Sequence, residues 1–180
     1  MNTEKRVESC LVVGAGIAGL LAARRLQASG LRVTLLDKGR RPGGRMATRQ
    51  VGGGVCDHGA QFITVRDPAF GQLIADLRAA GIVREWARGF PSDQDSSRPD
   101  GNSRYCGASG MNGIAGHLAQ GLRIYCSEQV TAISARDCGW QVKTESGSTW
   151  EVDALILTPP VPQSLVLLDA GKFVHASQSL

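Results

Sequence analysis

Cys10 to Val13 form a short apolar run, after which Ala18, Leu21, Ala22 and Leu26 recur at helical spacing. Gly30 is placed to stop that helix. Leu31 to Leu36 then form a second apolar run without regular alternation. Such a run predicts a strand buried on both faces, as in a parallel sheet. The three elements predict a β-α-β unit with a right-handed crossover and its helix packed on the sheet.

Val51 to Thr64 reads as a glycine-rich connection. Asp67 to Ala80 predicts a helix with Phe70, Leu73, Ile74 and Leu77 on one face, ended by Gly81. "IVREWARGF" reads as a strand, and "PSDQDSSRPDGNSR", with two prolines, as an exposed loop. "GMNGIAGHLAQGL" predicts a short helix despite its glycines. From Arg123 the pattern turns extended in "RIYCSEQVTAIS", "GWQVKTES" and "STWEV". These stretches predict a three-stranded antiparallel section between Ile124 and Val152. "DALILTPPVP" predicts a further buried strand, stopped by Pro159, Pro160 and Pro162, and a helix starts over residues 162–168. No internal repeat occurs.

Composition narrows the partners. The 180 residues carry a net charge of +4, and lysine occurs only at Lys5, Lys38, Lys143 and Lys172. The excess is therefore arginine, whose planar fork suits phosphate or carboxylate. No lysine-rich run and few aromatics are present, so nucleic acid is not the expected partner. Cys10, Cys56, Cys106, Cys126 and Cys138 are scattered, without zinc spacing. Reduced thiols in a cytoplasmic protein with no metal site are the simplest reading. Lys5 and Arg6 ahead of the apolar Leu11 to Ala23 superficially resemble a signal peptide. Gly14, Gly16 and Gly19 punctuate that run, and no A-x-A-like cleavage site follows. No other segment is long enough to span a membrane, so no membrane association is expected.

Gly14-x-Gly16-x-x-Gly19 lies between the first strand and the first helix. The first glycine permits a tight turn, the second lets backbone approach a pyrophosphate, and the third lets helix and strand pack closely. The helix N-terminus offers free N–H groups to the phosphates. Asp37, ending the second strand, is placed to accept from a ribose hydroxyl. The bland alternative is a glycine turn that binds nothing. This fingerprint does not choose between NAD and FAD. The following stretch, "DKGRRPGGRMATR", does. Gly43 and Gly44 allow close backbone approach, and Arg45 and Arg49 would share a face if they lay on a helical turn. A second arginine-bearing glycine turn suits a longer ligand with an extended diphosphate. Arg40 and Arg41 read as solvated loop, whereas Gly44, Arg45 and Thr48 read as ligand contacts.

"VVGAGIAGLLAARRL", "LLDKGRRPGGRMATR", "DHGAQFIT", "GMNGIAGHLAQGL" and "DALILTPPVPQSL" occur in the order seen in renalase-like flavoproteins of the wider amine-oxidase-like FAD group. The resemblance runs from about residue 10 to about residue 168 and is most specific in GGRMATR and DHGAQFIT. It implies an α/β fold: a Rossmann-type FAD-binding domain with a parallel sheet, a three-stranded antiparallel crossover and a partial substrate lobe. The implied segments are 8–64 and 110–168 for the FAD-binding domain, 65–109 for part of a substrate lobe, and 169–180 for a tail. By motif position, Gly14, Gly16, Ala18 and Gly19 would hold the FAD diphosphate. Asp37 and Lys38 would flank the adenosine ribose, with Arg45 on the phosphate side and Met46, Ala47 and Thr48 along the ribityl chain. Gly59, Ala60, Gln61 and Phe62 would approach the isoalloxazine ring, Val130 would present backbone to the adenine, and Thr158 and Pro159 would line the chain's return to the cofactor.

The activity implied by the resemblance is hydride transfer from a dihydronicotinamide-type substrate, an isomer of NAD(P)H, to FAD, with O2 as the final acceptor. The alternatives are an FAD-binding remnant without independent catalysis and an amine-oxidase-like flavoenzyme. Flavoproteins of this group run on well beyond this length. No catalytic residue is assigned. His58 is read either as a proton relay or flavin tether, or as a half-buried imidazole bonded to a neighbouring carbonyl. Asp57 reads as a turn or cap residue rather than a base. Trp86 and Phe90 are read either as substrate-pocket walls or as apolar packing. No GxSxG elbow or other triad signature is present.

Overall fold

The computed structural model describes residues 6–89 and 101–171. Along the chain run β1 (Ser9–Val13), α1 (Ile17–Ala28), β2 (Arg32–Asp37), a single 3-10 turn (Gly44–Met46), β3 (Thr48–Val51), β4 (Gly54–Asp57), β5 (Ile63–Thr64), α2 (Pro68–Ala79), β6 (Val83–Arg88), β7 (Ser103–Gly107) and α3 (Met111–Ala119). Then follow β8 (Arg123–Cys126), β9 (Val130–Arg136), β10 (Gly139–Thr144), β11 (Thr149–Val152), β12 (Ala154–Leu157) and α4 (Val161–Ala170). The chain divides into two compact units, one formed by residues 1–44 and 119–180, the other by residues 45–118.

The first unit is built on a four-stranded parallel sheet in the order β12-β1-β2-β8. Its central strand, β1, is apolar on both faces because both are covered. Leu11 and Val13 join Leu36, Val130, Ile133 and Val142 in a buried cluster, against which Leu155, Leu157, Leu167 and Leu168 pack. Cys10 and Val12 alternate to the opposite face, as do their register partners Val33 and Leu35. Helix α1, with Leu20 and Ala23 buried, packs on these strands. The start of β1 is pinned to β12: Asp153 accepts hydrogen bonds from the Glu8 and Ser9 amides and from the Ser9 hydroxyl. Strands β9, β10 and β11 form an antiparallel layer in the order β11-β10-β9.

That layer corrects one sequence expectation. Residues 123–126 do not belong to the antiparallel section, because β8 pairs in parallel with β2 and closes the Rossmann-type sheet. Ser127, at φ 58, turns the chain out of β8, so the antiparallel layer starts at Val130. Burial in β8 alternates, so local pattern alone did not separate it from the strands that follow.

The second unit holds a hairpin of β3 and β4, a three-stranded antiparallel sheet in the order β5-β7-β6, and the helices α2 and α3. Asp67 caps α2 by accepting from the Phe70 amide at 2.9 Å, and Pro68 opens the helix. The expected apolar face of α2 is present, with Ile74 and Leu77 buried. Helix α3 buries Met111, Ile114, Ala115 and Leu118. Two local expectations fail here. The 3-10 turn stops at Met46 and Thr48 opens β3, so Arg45 and Arg49 do not share a helical face. The expected glycine-rich connection from Val51 to Thr64 contains β4 and β5, with Gly52 and Gly53 turning the hairpin. Most of the "PSDQDSSRPDGNSR" loop, Phe90 and the tail beyond Gly171 lie outside the described residues.

Candidate functional site

In the first unit, the carboxyl ends of β1, β2 and β12 bring Gly14, Lys38 and Thr158 to one edge of the parallel sheet. That is where open α/β sheets bind ligands. Gly14 adopts φ 100, and its amide donates to Leu36 O at 2.8 Å. A Cβ at Gly14 would stand 2.5 Å from Thr158 Oγ1, and one at Gly19 would collide with the Gly14 carbonyl. These two glycines are thus required by packing within the loop. Gly16 differs: a Cβ there would meet nothing within 4 Å. It is the N-cap of α1 with no side-chain hydrogen bond, and no acidic residue lies in the first turn. At this N-terminus α1 thus has no side-chain cap from Gly16 and no acidic residue in its own first turn, which fits a diphosphate, while the Asp37 carboxylate engages the loop one residue earlier, at the Ala15 amide. Ala18, in that turn, is exposed.

The second glycine turn folds back onto the first. Gly43 donates to Ala15 O at 2.9 Å and bridges to Gly16, while a Cβ at Gly44 would come within 3.4 Å of Gly16 Cα. Asp37 closes the arrangement. One carboxylate oxygen accepts from the Ala15 amide at 2.5 Å, the other from the Gly39 amide at 2.7 Å. The expected ribose acceptor therefore also braces the glycine loop, and its remaining lone pairs are what a ribose would use. The link after β8 is tied to the same turn, with Ser127 donating to Gly39 O and Glu128 to Asp37 O. This brings the buried Val130, at the start of β9, within a few residues of the Asp37 turn. Cys126 lies opposite Asp37 in the sheet register. Burial, and then the Asp37 charge, raise its thiol pKa above the ordinary value. Lys38, Arg40 and Arg41 are exposed.

In the second unit, Arg45 is exposed and its carbonyl accepts from the Ala60 amide at 2.8 Å. A Cβ at Gly59 would collide with that carbonyl, so the Arg45 turn and the 59–61 segment are held in close backbone contact. Gly59, Ala60 and Gln61 are exposed, Met46 is buried and Ala47 is half-buried. Thr48 has a structural task that the sequence reading missed. Its hydroxyl donates to Asp57 at 2.5 Å and accepts from the Asn112 amide at 2.9 Å. Asp57 accepts from the Met111 amide at 2.9 Å, so the paired ends of the hairpin together cap α3. Asp57 is thus a cap residue, as its sequence context suggested. His58 is exposed rather than half-buried and makes no hydrogen bond among the described residues, so the expected carbonyl partner is not there. Among the described residues no cluster of metal-ligating side chains occurs, and no helix is long and apolar enough to cross a membrane.

A parallel sheet with a bare glycine loop at its carboxyl edge defines a Rossmann-type dinucleotide-binding protein. Residues 12–77 match the NAD(P)-binding Rossmann-like domain family. Renalase of Mus musculus is 30% identical over 168 residues, covering 87% of this chain and 48% of that protein. A crystal structure assigned as a protoporphyrinogen oxidase from Exiguobacterium sp. 255-15 superposes with a TM-score of 0.70 at 17% identity, covering 90% of this chain and 61% of that one. A putrescine oxidase structure superposes with a TM-score of 0.66 at 17% identity, covering 85% of this chain and 58% of that one. The chain carries a Rossmann-type dinucleotide-binding fold and is similar in sequence to renalase along most of its length. It spans about half the length of the renalase it matches.

Proposed function

We propose that the chain binds FAD and serves in the oxidation of a dihydronicotinamide-type substrate, an NAD(P)H isomer, with O2 as the final electron acceptor. The observation that carries the reading is the bare cradle at Gly16, where uncapped first-turn amides and a loop keyed by Thr158 fit a diphosphate. The likeness to mouse renalase along most of this chain supports the finer assignment.

In this reading Gly14, Gly16, Ala18 and Gly19 hold the diphosphate through backbone. Asp37 and Lys38 flank the ribose, Val130 offers backbone to the adenine, and Thr158 fixes the loop. Gly44 lets the second glycine turn approach the first. Arg45, Met46, Ala47, Thr48 and the segment Gly59 to Phe62 are assigned to the ribityl and ring half on the strength of the sequence resemblance. Thr48 already spends its hydroxyl on Asp57 and α3, so it acts there through backbone or methyl contact. FAD, when bound, supplies acceptance of a hydride and return of two electrons to O2 as hydrogen peroxide. A dihydropyridine becomes aromatic on losing hydride, so the chain need supply no strong base. Its residues orient the substrate ring and limit water access.

The test is anaerobic mixing of FAD-loaded protein with the 2- or 6-dihydro isomer of NAD. The flavin absorbance should bleach and return when air is admitted. Retention of full yellow colour under saturating substrate would overturn the substrate assignment.

A further inference from the structure

In the first unit, the link between β8 and β9 is strained and tied down on two sides. Ser127, at φ 58, is the one non-glycine residue at positive φ among the described residues. An L residue keeps that conformation only where its surroundings over-determine it, and such residues gather at ligand clamps. The Ser127 amide donates to Gly39 O at 2.9 Å and the Glu128 amide to Asp37 O at 3.0 Å. From the other side, the Glu145 amide donates to Gln129 O at 2.8 Å. Residues 127–129 are therefore bonded both to the Asp37 turn and to the turn between β10 and β11. The link delivers Val130, whose register partner is Thr144, where the pairing shifts between Lys143 and Thr144. Such bulges re-aim side chains and recur beside active sites.

Side chains close the same link. Thr144 is only 5% exposed, and its Oγ1 lies 2.9 Å from Ser146 Oγ. The Ser146 hydroxyl donates to the Glu128 carboxylate at 3.0 Å, and Ser148 Oγ lies 3.1 Å from Ser146 Oγ. An ionised carboxylate only accepts, so the single Ser146 proton goes to Glu128. The lone pairs of Ser146 are left to the Thr144 and Ser148 hydroxyls. One carboxylate thereby orients the hydroxyl chain.

We infer that Glu128, latched by Ser146, is a positioning residue for the adenosine half of the bound dinucleotide. It holds residues 127–129 so that the Val130 backbone and the Asp37 carboxylate keep a fixed separation before the ligand arrives. This rests on the FAD reading proposed above. The latch acts by preorganisation: a link that is already ordered loses little freedom when adenosine binds. The Ser146–Glu128 bond is exposed, so its effect is modest. Among the described residues the hydroxyl chain makes no hydrogen bond to the loop from Gly14 to Gly19, so the effect is confined to the adenosine half.

The experiment is calorimetric titration of the full, flavin-stripped chain with two probes. ADP reports adenosine and diphosphate together, and inorganic pyrophosphate reports the glycine cradle alone. Glu128→Ala and Ser146→Ala should each raise the ADP Kd about threefold, as the loss of one exposed hydrogen bond would, and leave the pyrophosphate Kd unchanged. The double variant should be no weaker than either single variant, because both remove the same bond. Glu128→Gln and Ser146→Thr keep an acceptor and a donor and should stay close to wild type. Melting temperature and circular dichroism control for folding. A wild type that binds ADP while both alanine variants match it, additive losses in the double variant, or equal weakening of both probes would overturn the latch and leave the FAD reading standing. A wild type that binds no ADP would overturn that reading, and the latch with it.

Discussion

Thr158 Oγ1 donates to Val13 O at 2.8 Å and fills the space that a side chain on Gly14 would need. Residues 145 positions apart are thereby keyed together, and the end of β12 sets the shape of the glycine loop after β1. Gly14 also sits at φ 100, where an L side chain is strained. Gly14→Ala should therefore lower FAD affinity by at least about tenfold, because the loop must move to relieve both faults. Thr158→Ser keeps the hydroxyl and should stay close to wild type, while Thr158→Val loses the hydrogen bond and should weaken retention modestly. Equilibrium FAD titration of the three variants checks the order.

A second dependence lies within residues 45–118. Thr48 and Asp57 jointly cap α3, and Gly110, at φ 96, leaves no room for a Cβ against Thr48 Cγ2. Asp57→Ala should cost about 1–2 kcal/mol of stability. Thr48→Val and Asp57→Ala should be strongly non-additive, since each removes the same network. Urea unfolding of the single and double variants gives the coupling directly.

The cysteines should separate by reactivity. Burial raises the thiol pKa of Cys10, and burial together with the Asp37 charge raises that of Cys126. A raised thiol pKa means less thiolate at a given pH, so both should alkylate slowly at about pH 8. The exposed Cys56 and Cys138 should react first. The linkage has a definite sign. The neutral thiols contribute stability below the ordinary thiol pKa, and this is lost as pH rises through the raised values. Mass spectrometry of time-resolved iodoacetamide labelling tests the order.

Arg45 is exposed, and among the described residues its hydrogen bonding runs through its backbone carbonyl, which accepts from the Ala60 amide. Arg45→Ala should leave the melting temperature close to wild type while lowering FAD retention several-fold. Unchanged retention would remove Arg45 from the phosphate side.

The β-α-β unit and its glycine loop were legible because each signal is local: an apolar run, a helical period and glycines at fixed spacing. Helix α2 was equally plain, since Asp67, Pro68 and the apolar face are consecutive. The β3–β4 hairpin was not, because four residues on each side give too little alternation to stand out from a glycine-rich loop. Residues 123–126 were joined to the wrong sheet because a short edge strand shows the same alternation in a parallel or an antiparallel partner. Thr158 and Asp57 drew attention as ligand-side or turn residues, but their bonding partners are distant in sequence. No local pattern carries that information. The burial of Arg104 and the bulge at Trp86 likewise arise only from strand pairing.

FAD held in the glycine cradle is the premise of the proposed function. Titration of the purified, flavin-stripped protein with FAD, followed by quenching of flavin fluorescence and recovery of a yellow, gel-filtered complex, tests it most directly. Saturable uptake of one FAD per chain, weakened in Gly14→Ala, is the predicted result. A protein that stays colourless and leaves FAD fluorescence unchanged would contradict that premise.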